Sequence, residues 1–282
     1  MGIEHQPFVY QIGPLEVGGF GFAMLMCFVI AQIVAQRELA RRGHDPEPIG
    51  DLIIAAVIGG LVGAKLYYAV LTQDSGAIFS RAGFVFWGGL IGGILVVLLT
   101  IRVKKLSVAR MADVSGIAIA AAYAVGRTGC WAVGDDYGRP WNSALAVRFP
   151  QGAPPSTVEN MSTMFGVEFP PGTDPAEVVA VHPTQLYETA AGFVMFLILW
   201  RMRDHRHAEG WLFGVYCILA GIERFLVEFV RAKDDRFFAG LTAAQLIALV
   251  FVAVGVAVMY ARRNVTPGSP GIYAARVAKK AA

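Results

Sequence analysis

The sequence predicts an all-α integral membrane protein with seven transmembrane helices, from its composition, its apolar stretches and the placement of its basic residues. Hydrophobic residues make up 56% of the 282 residues and charged residues only 16%, whereas about a quarter of an average soluble domain is charged. Because a helix satisfies its own backbone hydrogen bonds in lipid, long apolar segments are expected to be helical. The formal net charge of +3 gives no indication of nucleic-acid binding, and no nucleic-acid partner is expected.

Seven stretches approach the roughly 20 residues that a helix needs to cross a bilayer. They lie at residues 15–35, 51–71, 84–101, 112–133, 183–200, 211–230 and 241–260. The fourth is the weakest, because it is rich in Ala and Gly and contains Arg127 near its end. Residues 1–14 carry no Lys or Arg, so we expect no cleavable signal peptide and expect the first span to be retained. Residues 1–282 are treated as a single membrane domain.

The basic residues predict the orientation of these spans. Fifteen Lys and Arg residues fall on one side of the spans, six on the other and three within them. Because cytoplasmic segments are enriched in Lys and Arg, we expect the N-terminus outside and the C-terminus in the cytoplasm. The one long connection, residues 134–182, then lies on the outer side. Its length is typical of a functional segment or of a solvated lid with little structure, and both interpretations are kept.

Two arginines in the apolar stretches, Arg127 and Arg224, are the strongest candidates for a functional site. A cation inside a spanning segment costs several kcal/mol, so such residues usually mark function. Arg127 is flanked by glycines, and an arginine fork beside exposed backbone amides suits two phosphate oxygens. The alternative is a structural ion pair between Arg127 and Asp135, Asp136 or Glu228.

Two further segments add polar groups near the predicted outer surface. Arg224, Glu228 and Arg231 recur at spacings that place them on one helical face, although a salt bridge alone explains part of this pattern. The segment 182–188 begins the fifth span with His182-Pro183, since proline suits the first helical position. It includes three more polar groups, Gln185, Tyr187 and Glu188. A histidine there is more often a cap than a catalyst, and both roles are kept for His182.

Paired glycines and three isolated cysteines complete the candidates. Small residues such as Gly88 and Gly89 allow helices to approach closely in lipid, so they indicate tight packing or a substrate contact. The spacing of Cys27, Cys130 and Cys217 fits neither a metal site nor a disulfide framework. We expect no metal ion and no organic cofactor.

Taken together, these segments resemble the prolipoprotein diacylglyceryl transferase family, bacterial enzymes that lipidate lipoprotein precursors. The matching pieces are Gly63-Ala64-Lys65-Leu66-Tyr67-Tyr68, Gly88-Gly89-Leu90-Ile91-Gly92, Gly126-Arg127-Thr128-Gly129 with Gly134 and Gly138, residues 182–188, residues 224–231, and Leu241-Thr242-Ala243-Ala244-Gln245. They follow the family's order from the second span to the seventh. The family's seven spans and outer N-terminus agree with the orientation reached from the charges.

The resemblance implies a reaction and a set of partners. The diacylglyceryl group of phosphatidylglycerol passes to the lipobox cysteine thiol of a secreted prolipoprotein, which forms a thioether and releases glycerol phosphate. The implied setting is the lipid bilayer of the bacterial cytoplasmic (inner) membrane. No cofactor is implied.

The resemblance also assigns roles to residues. Arg127 and Arg224 are expected to hold the phosphate and the leaving group, and Glu228 and Asp135 to orient those arginines or accept the thiol proton. The remaining candidates are His182 as a further catalytic group and, for substrate binding, Gly138, Gly88, Gly89, Gln185, Tyr187, Glu188 and Arg231.

Three positions depart from the family's pattern. Trp87 stands where familiar members carry a histidine, Cys130 where many carry asparagine, and Phe20 where they carry a tyrosine. These changes leave the identity of the proton acceptor open. Two competing interpretations are a transporter for an anionic solute and a non-catalytic lipid-binding member of the same family.

Overall fold

The computed structural model describes residues 3–13, 15–74, 76, 78, 83–232, 236–238 and 240–264, which form a mostly helical chain. The helices of this part are α1 Gly19–Arg41, α2 Pro48–Thr72, α3 Phe86–Val103, α4 Val108–Val133, α5 Val158–Phe165, α6 Thr184–Met202, α7 Trp211–Val227 and α8 Ala243–Ala261. Five of these helices, α1 to α4 and α8, are long and apolar enough to cross a membrane. The chain is therefore a polytopic membrane protein, as the composition predicts.

The fifth and sixth predicted spans correspond to α6 and α7, which are not among those five helices. Helix α7 is 17 residues long, and the first residues of α6 are polar. The count of seven spans therefore stays a prediction. So does the orientation, because five of the basic residues behind it, Arg81, Lys233, Arg276, Lys279 and Lys280, lie outside the described residues.

Short strands accompany the helices, a feature that the all-helical prediction did not include. They are β1 Ile3–Glu4, β2 Val9–Ile12, β3 Leu15–Gly18, β4 Val147–Arg148, β5 Ala180–Val181, β6 Arg236–Phe238 and β7 Leu241–Thr242. Strand β4 pairs in parallel with β1 and antiparallel with β5, which ties the N-terminus to the long connection. The pairs β2–β3 and β6–β7 are antiparallel and precede α1 and α8.

The long connection at residues 134–182 is folded, so the interpretation as a lid with little structure is wrong. It contains α5, β4 and β5. The side chains of Phe149, Met161 and Val181 are fully buried in a cluster of their own, and the Tyr137 ring stacks on Phe149 at 5.2 Å between centroids. Burying aromatic and aliphatic side chains in this way offsets the entropy cost of ordering a proline-rich segment.

Glycines set the closest helix contact in the bundle, between α2 and α3. A Cβ atom on Gly88 would overlap the carbonyl oxygen of Gly63, and one on Gly59 would lie 2.7 Å from the oxygen of Gly92. Helices α7 and α8 approach in the same way, since a Cβ on Gly255 would lie 2.6 Å from the oxygen of Gly214. Dispersion contacts between closely spaced backbones hold helices together where lipid removes the hydrophobic driving force.

A buried polar cluster fixes the end of the bundle where α1 finishes and α4 and α7 begin. Arg42 binds Glu38 at 2.8 Å and Asp113 at 3.5 Å, and all three side chains are almost fully buried. The Asp113 carboxylate also accepts hydrogen bonds from the backbone N–H groups of Gly210 and Phe213, both at 2.9 Å. Asp113 on α4 thereby satisfies the otherwise unpaired N–H groups at the start of α7.

Candidate active site

The arginines singled out from the sequence lie at the opposite end of the bundle, where α4 and α7 finish and α6 begins. Helix α4 ends at Val133 and is capped by Gly134, whose φ of +70° is the left-handed conformation that glycine adopts readily. Asp135 and Asp136 follow directly, and Asp136 also takes a positive φ of +55°. This turn directs the Asp136 carboxylate back toward the last turns of α4 and α7.

Arg127 is held by two carboxylates. Its Nη1 atom lies 2.9 Å from Asp136 Oδ2, and its Nη2 atom is paired with Glu188 Oε2. Nη1 also donates to the Cys130 sulfur at 3.2 Å. The Arg127 side chain is only 12% exposed. Of the three partners considered from the sequence, the structure pairs Arg127 with Asp136, and it adds Glu188.

Arg231 reaches the same two carboxylates from beyond the end of α7. Its Nη2 atom lies 2.9 Å from Asp136 Oδ1, and Nη1 lies 3.7 Å from Glu188 Oε1. Asp136 and Glu188 therefore bridge Arg127 and Arg231. Charges removed from water are tolerated only when they are paired in this way, because an unpaired buried charge costs several kcal/mol.

Arg224 and Glu228 form the second part of the cluster. Arg224 Nη2 lies 2.7 Å from Glu228 Oε2, one helical turn away, and Arg231 Nε lies 3.8 Å from the same oxygen. The other oxygen of Glu228 accepts a hydrogen bond from Thr242 Oγ1 at 3.0 Å. Arg224 is the most exposed of the three arginines, at 34%, so a ligand can reach its guanidinium without displacing the rest. We define the arginine cluster as Arg127, Arg224, Arg231 and their carboxylates.

Gly138 joins the long connection to the end of α7. It forms an antiparallel bridge with Arg231, and its N–H donates to the His182 carbonyl at 2.8 Å. A Cβ atom here would overlap the Val230 carbonyl oxygen and lie 2.7 Å from the His182 Cβ. Only glycine fits this approach of three backbone segments.

Asp135 lies beside the arginine cluster with its carboxylate outside the arginine pairs. Its backbone carbonyl accepts a hydrogen bond from Gln185 Nε2, and the Gln185 side chain is fully buried. The Asp135 Oδ1 atom is buried without a hydrogen-bond partner, and burial raises the pKa of this carboxyl group. Burial acts in the same direction on Asp136, but Arg231 and Arg127 outweigh it and hold the pKa of Asp136 below its usual value.

His182 lies at the edge of the site. Its ring stacks on Trp141 with centroids 4.3 Å apart, and its Nδ1 atom lies 3.3 Å from the Tyr187 hydroxyl. Burial lowers the pKa of His182, which favours the neutral imidazole at pH 7. Its backbone N–H donates to the Arg139 carbonyl at 3.0 Å, so the residue also fixes the start of α6 to the long connection.

Gly88 and Gly89 lie in the α2–α3 contact. The nearest neighbours of a Cβ at Gly89 would be Gly60 O at 3.3 Å and Ala64 Cβ at 3.5 Å, and Gly88 meets Gly63 and Tyr67. These neighbours account for the paired glycines by helix packing. A direct contact of either glycine with substrate stays a prediction.

The structure adds a pair that sequence reasoning missed, Tyr123 on α4 and Glu223 on α7. The Tyr123 hydroxyl donates to Glu223 Oε1 at 3.1 Å. Tyr123 precedes Arg127 by one helical turn, and Glu223 directly precedes Arg224. A carboxylate inside an apolar helix was a signal in the sequence, but only the fold shows that Tyr123 is its partner.

Within the described residues, one group of side chains has metal-ligand geometry. Cys130, Asp135 and Asp136 place a sulfur and two carboxylate oxygens within 4.8 Å of one another. Asp136, however, already pairs with Arg127 and Arg231, and a cation would have to displace both and then face their charges. The two arginines therefore make this position unfavourable for a metal ion.

Comparison with known proteins gives the family. The family model described as "Prolipoprotein diacylglyceryl transferase" matches residues 7–261. A protein of Clostridium tetani named "Phosphatidylglycerol--prolipoprotein diacylglyceryl transferase" is 28% identical over 89% of this chain and 95% of its own length. Proteins of the same name from Xanthomonas oryzae pv. oryzae, at 28% identity over 96% of this chain and 97% of theirs, and from Lysinibacillus sphaericus, at 27% over 94% and 95%, agree. The chain therefore belongs to the prolipoprotein diacylglyceryl transferase family of enzymes.

Proposed function

We propose that the protein transfers the diacylglyceryl group of phosphatidylglycerol to the lipobox cysteine of a prolipoprotein signal peptide. The product is a thioether, and glycerol phosphate leaves. The printed names of the relatives support this reaction. We place the enzyme in the bacterial inner membrane with seven spans, its N-terminus outside and its C-terminus in the cytoplasm, so that the arginine cluster faces the outer leaflet.

The observation that carries the proposal is that the arginines share carboxylates at one end of the bundle. Each guanidinium is already oriented by ion pairs of about 2.7 to 3.8 Å. A phosphodiester offers the same pair of oxygens as a carboxylate, so Arg224 and Arg127 can exchange a carboxylate oxygen for a phosphate oxygen with little movement. Orienting the donors before the reaction is what makes such groups effective in stabilising charge.

The reaction needs a thiolate and a stabilised leaving group. The lipobox thiol loses its proton, and the sulfur attacks the glycerol carbon that carries the phosphate ester. The carbon–sulfur bond forms as the carbon–oxygen bond breaks, and the electron pair leaves on glycerol phosphate. We assign Arg127 and Arg224 to the growing negative charge on that phosphate. Glu228 orients Arg224, and Glu228 and Asp135 are the groups that the resemblance offers for accepting the thiol proton.

The remaining candidates surround this centre. Arg231 and Glu188 complete the binding surface for the headgroup, and Gln185 holds the turn that carries Asp135. His182 and Tyr187 lie at the edge, where the peptide would enter, and Gly138 allows the long connection to close on α7. We propose that Gly88 and Gly89 contribute to binding of the phosphatidylglycerol substrate through the face of α3 on which they lie.

The test is transfer by Arg127→Ala and Arg224→Ala variants in phosphatidylglycerol micelles with a lipobox peptide. We expect each to lose at least about 100-fold in transfer, since removing one preorganised charge donor typically costs this much. Arg37→Ala is the matched control, because Arg37 is an exposed arginine on α1 beyond the cluster. Transfer at the wild-type rate by either cluster variant, in a folded protein, would remove the phosphate assignment.

A further inference from the structure

The carboxylates near the arginines divide into two kinds. Asp136, Glu188 and Glu228 each pair with at least one arginine, so their oxygens are engaged by guanidinium groups. Within the described part of the chain, Glu223 forms no ion pair with an arginine or lysine, and its hydrogen-bond partner is the neutral Tyr123 hydroxyl at 3.1 Å. Glu223 therefore has a different chemistry from its neighbours.

Groups from α4, α6 and α7 surround Glu223. Tyr123 and Arg127 face it from α4, Glu188 from α6, and Tyr216 and Arg224 lie near it on α7. Helix α8 packs beside α7 and carries no charged side chain between Ala243 and Ala261. The three arginines of the cluster are matched by three carboxylates, Asp136, Glu188 and Glu228, so Glu223 is a further carboxylate outside these ion pairs.

The Tyr123 hydroxyl provides a path to this carboxylate. A hydroxyl can accept one proton while it donates another, and Tyr123 lies one turn from Arg127 on the same face of α4. Asp135 also forms no arginine pair, and its carboxylate lies within 4.8 Å of the Cys130 sulfur. Of the two carboxylates, Glu223 is the one that accepts a hydrogen bond from a tyrosine hydroxyl, which can receive a proton while it donates its own.

We propose that Glu223, acting through Tyr123, takes the proton of the lipobox thiol; this inference rests on the transferase reaction proposed above. The thiol proton passes to the Tyr123 oxygen as the phenolic proton of Tyr123 passes to Glu223 Oε1. The products of the step are a thiolate and a protonated Glu223. When glycerol phosphate leaves as the more basic phosphate monoester, the proton returns through Tyr123 to that phosphate, and Glu223 is ionised again.

The experiment compares two lipobox peptides, one with cysteine and one with selenocysteine, as acceptors for wild type, Glu223→Gln and Tyr123→Phe. A selenol is ionised at neutral pH and needs no proton acceptor. We expect both variants to lose about 100-fold in transfer to the cysteine peptide, the size of a general-base contribution, and to approach wild type with the selenocysteine peptide. The pH at which cysteine transfer begins to rise should also move upward in Glu223→Gln.

Control variants and the possible outcomes distinguish the inference about the proton acceptor from the proposed transferase function. Glu168→Gln, an exposed glutamate in the long connection, and Tyr260→Phe, an exposed tyrosine at the end of α8, should behave as wild type. Equal losses of the Glu223 and Tyr123 variants with both peptides would show a structural role and overturn the inference, as would unchanged transfer to cysteine. Failure of wild type with both peptides would instead overturn the proposed function.

Discussion

Asp136 is the residue that organises the arginine cluster. One oxygen of its carboxylate lies 2.9 Å from Arg127 and the other lies 2.9 Å from Arg231, and a positive φ places it there. Because two cations face it, the ionised form is favoured and the pKa is lowered. Asp136 therefore holds α4 and the end of α7 together more strongly when it is charged.

The Asp136 pairs should give the fold a specific acid sensitivity. A carboxyl group whose folded pKa is depressed contributes stability that is complete above its unfolded value, here 3.8, and is lost as the pH falls through the folded value. Asp136→Asn should lower the melting temperature near neutral pH, and the difference from wild type should shrink in acid. Thermal unfolding in micelles measures this, and a difference that stays constant down to about pH 3 would contradict it.

Gly138 provides a test of the closure between the long connection and α7. The Gly138→Ala Cβ would overlap the Val230 carbonyl oxygen, which is backbone and cannot turn aside. We expect a lower melting temperature and at least about a tenfold loss of transfer, since small misplacements near a reacting centre have large effects. Gly50→Ala is the control, because a Cβ there meets nothing within 4 Å. Wild-type transfer by Gly138→Ala would show that this closure is not needed.

The sequence identifies the charged residues in the apolar stretches, but it predicts only some of their ion-pair and hydrogen-bond partners. Spacing alone places Arg224 one turn from Glu228, and the structure joins them. Asp136 was one of three predicted ion-pair partners for Arg127. The sequence could not select it, because the direction of the turn after α4 depends on the backbone φ of Asp136. Glu223 was missed, since its partner lies on another helix and is set by how α4 and α7 rotate against each other.

At the scale of elements, apolarity marks the part of a helix that lipid covers, and capping marks where the helix ends. The fourth stretch was predicted at 112–133, but α4 begins at Val108, because the Ser107 side chain accepts a hydrogen bond from the Arg110 N–H at 3.2 Å. Helix α5 and the short strands were not predicted. They carry no membrane-spanning signal and form through contacts such as Phe149 with Tyr137.

The α2–α3 contact predicts opposite outcomes for two neighbouring glycines. Gly88→Ala would overlap the Gly63 carbonyl oxygen, and we expect a loss of about 1–3 kcal/mol in stability, typical of overpacking. Gly60→Ala should be neutral or slightly stabilising, since its Cβ would lie 3.8 Å from the nearest atom. Unfolding in micelles measures both. If Gly88→Ala instead raises the KM for phosphatidylglycerol without changing stability, its role is substrate contact.

At the scale of the whole molecule, the two ends of the bundle have different polar chemistry. At one end, Glu38, Arg42 and Asp113 satisfy one another and the start of α7 in a buried cluster. At the other end, the arginines are oriented by carboxylates but partly exposed, as Arg224 shows. The first cluster fixes the helix ends in place. In the second, a bound anion can replace a carboxylate oxygen on an arginine.

The proposed orientation predicts which end faces which side of the membrane. A reporter that is active only in the cytoplasm should work when it follows residue 264, and one that is active only outside should work when inserted near Gly172, in an exposed turn of the long connection. The reverse pattern would place the arginine cluster at the inner leaflet. Activity of both reporters on the same side would refute the three spans predicted between them.

The most direct test of the central claim is the chemistry itself. Purified protein in micelles would be incubated with phosphatidylglycerol and a lipobox peptide, and the peptide would be analysed by mass spectrometry. The account predicts a peptide heavier by one diacylglyceryl group, attached at cysteine, with an equal amount of glycerol phosphate released and neither product formed by Arg127→Ala. An unmodified peptide, from folded protein that still binds phosphatidylglycerol, would contradict it.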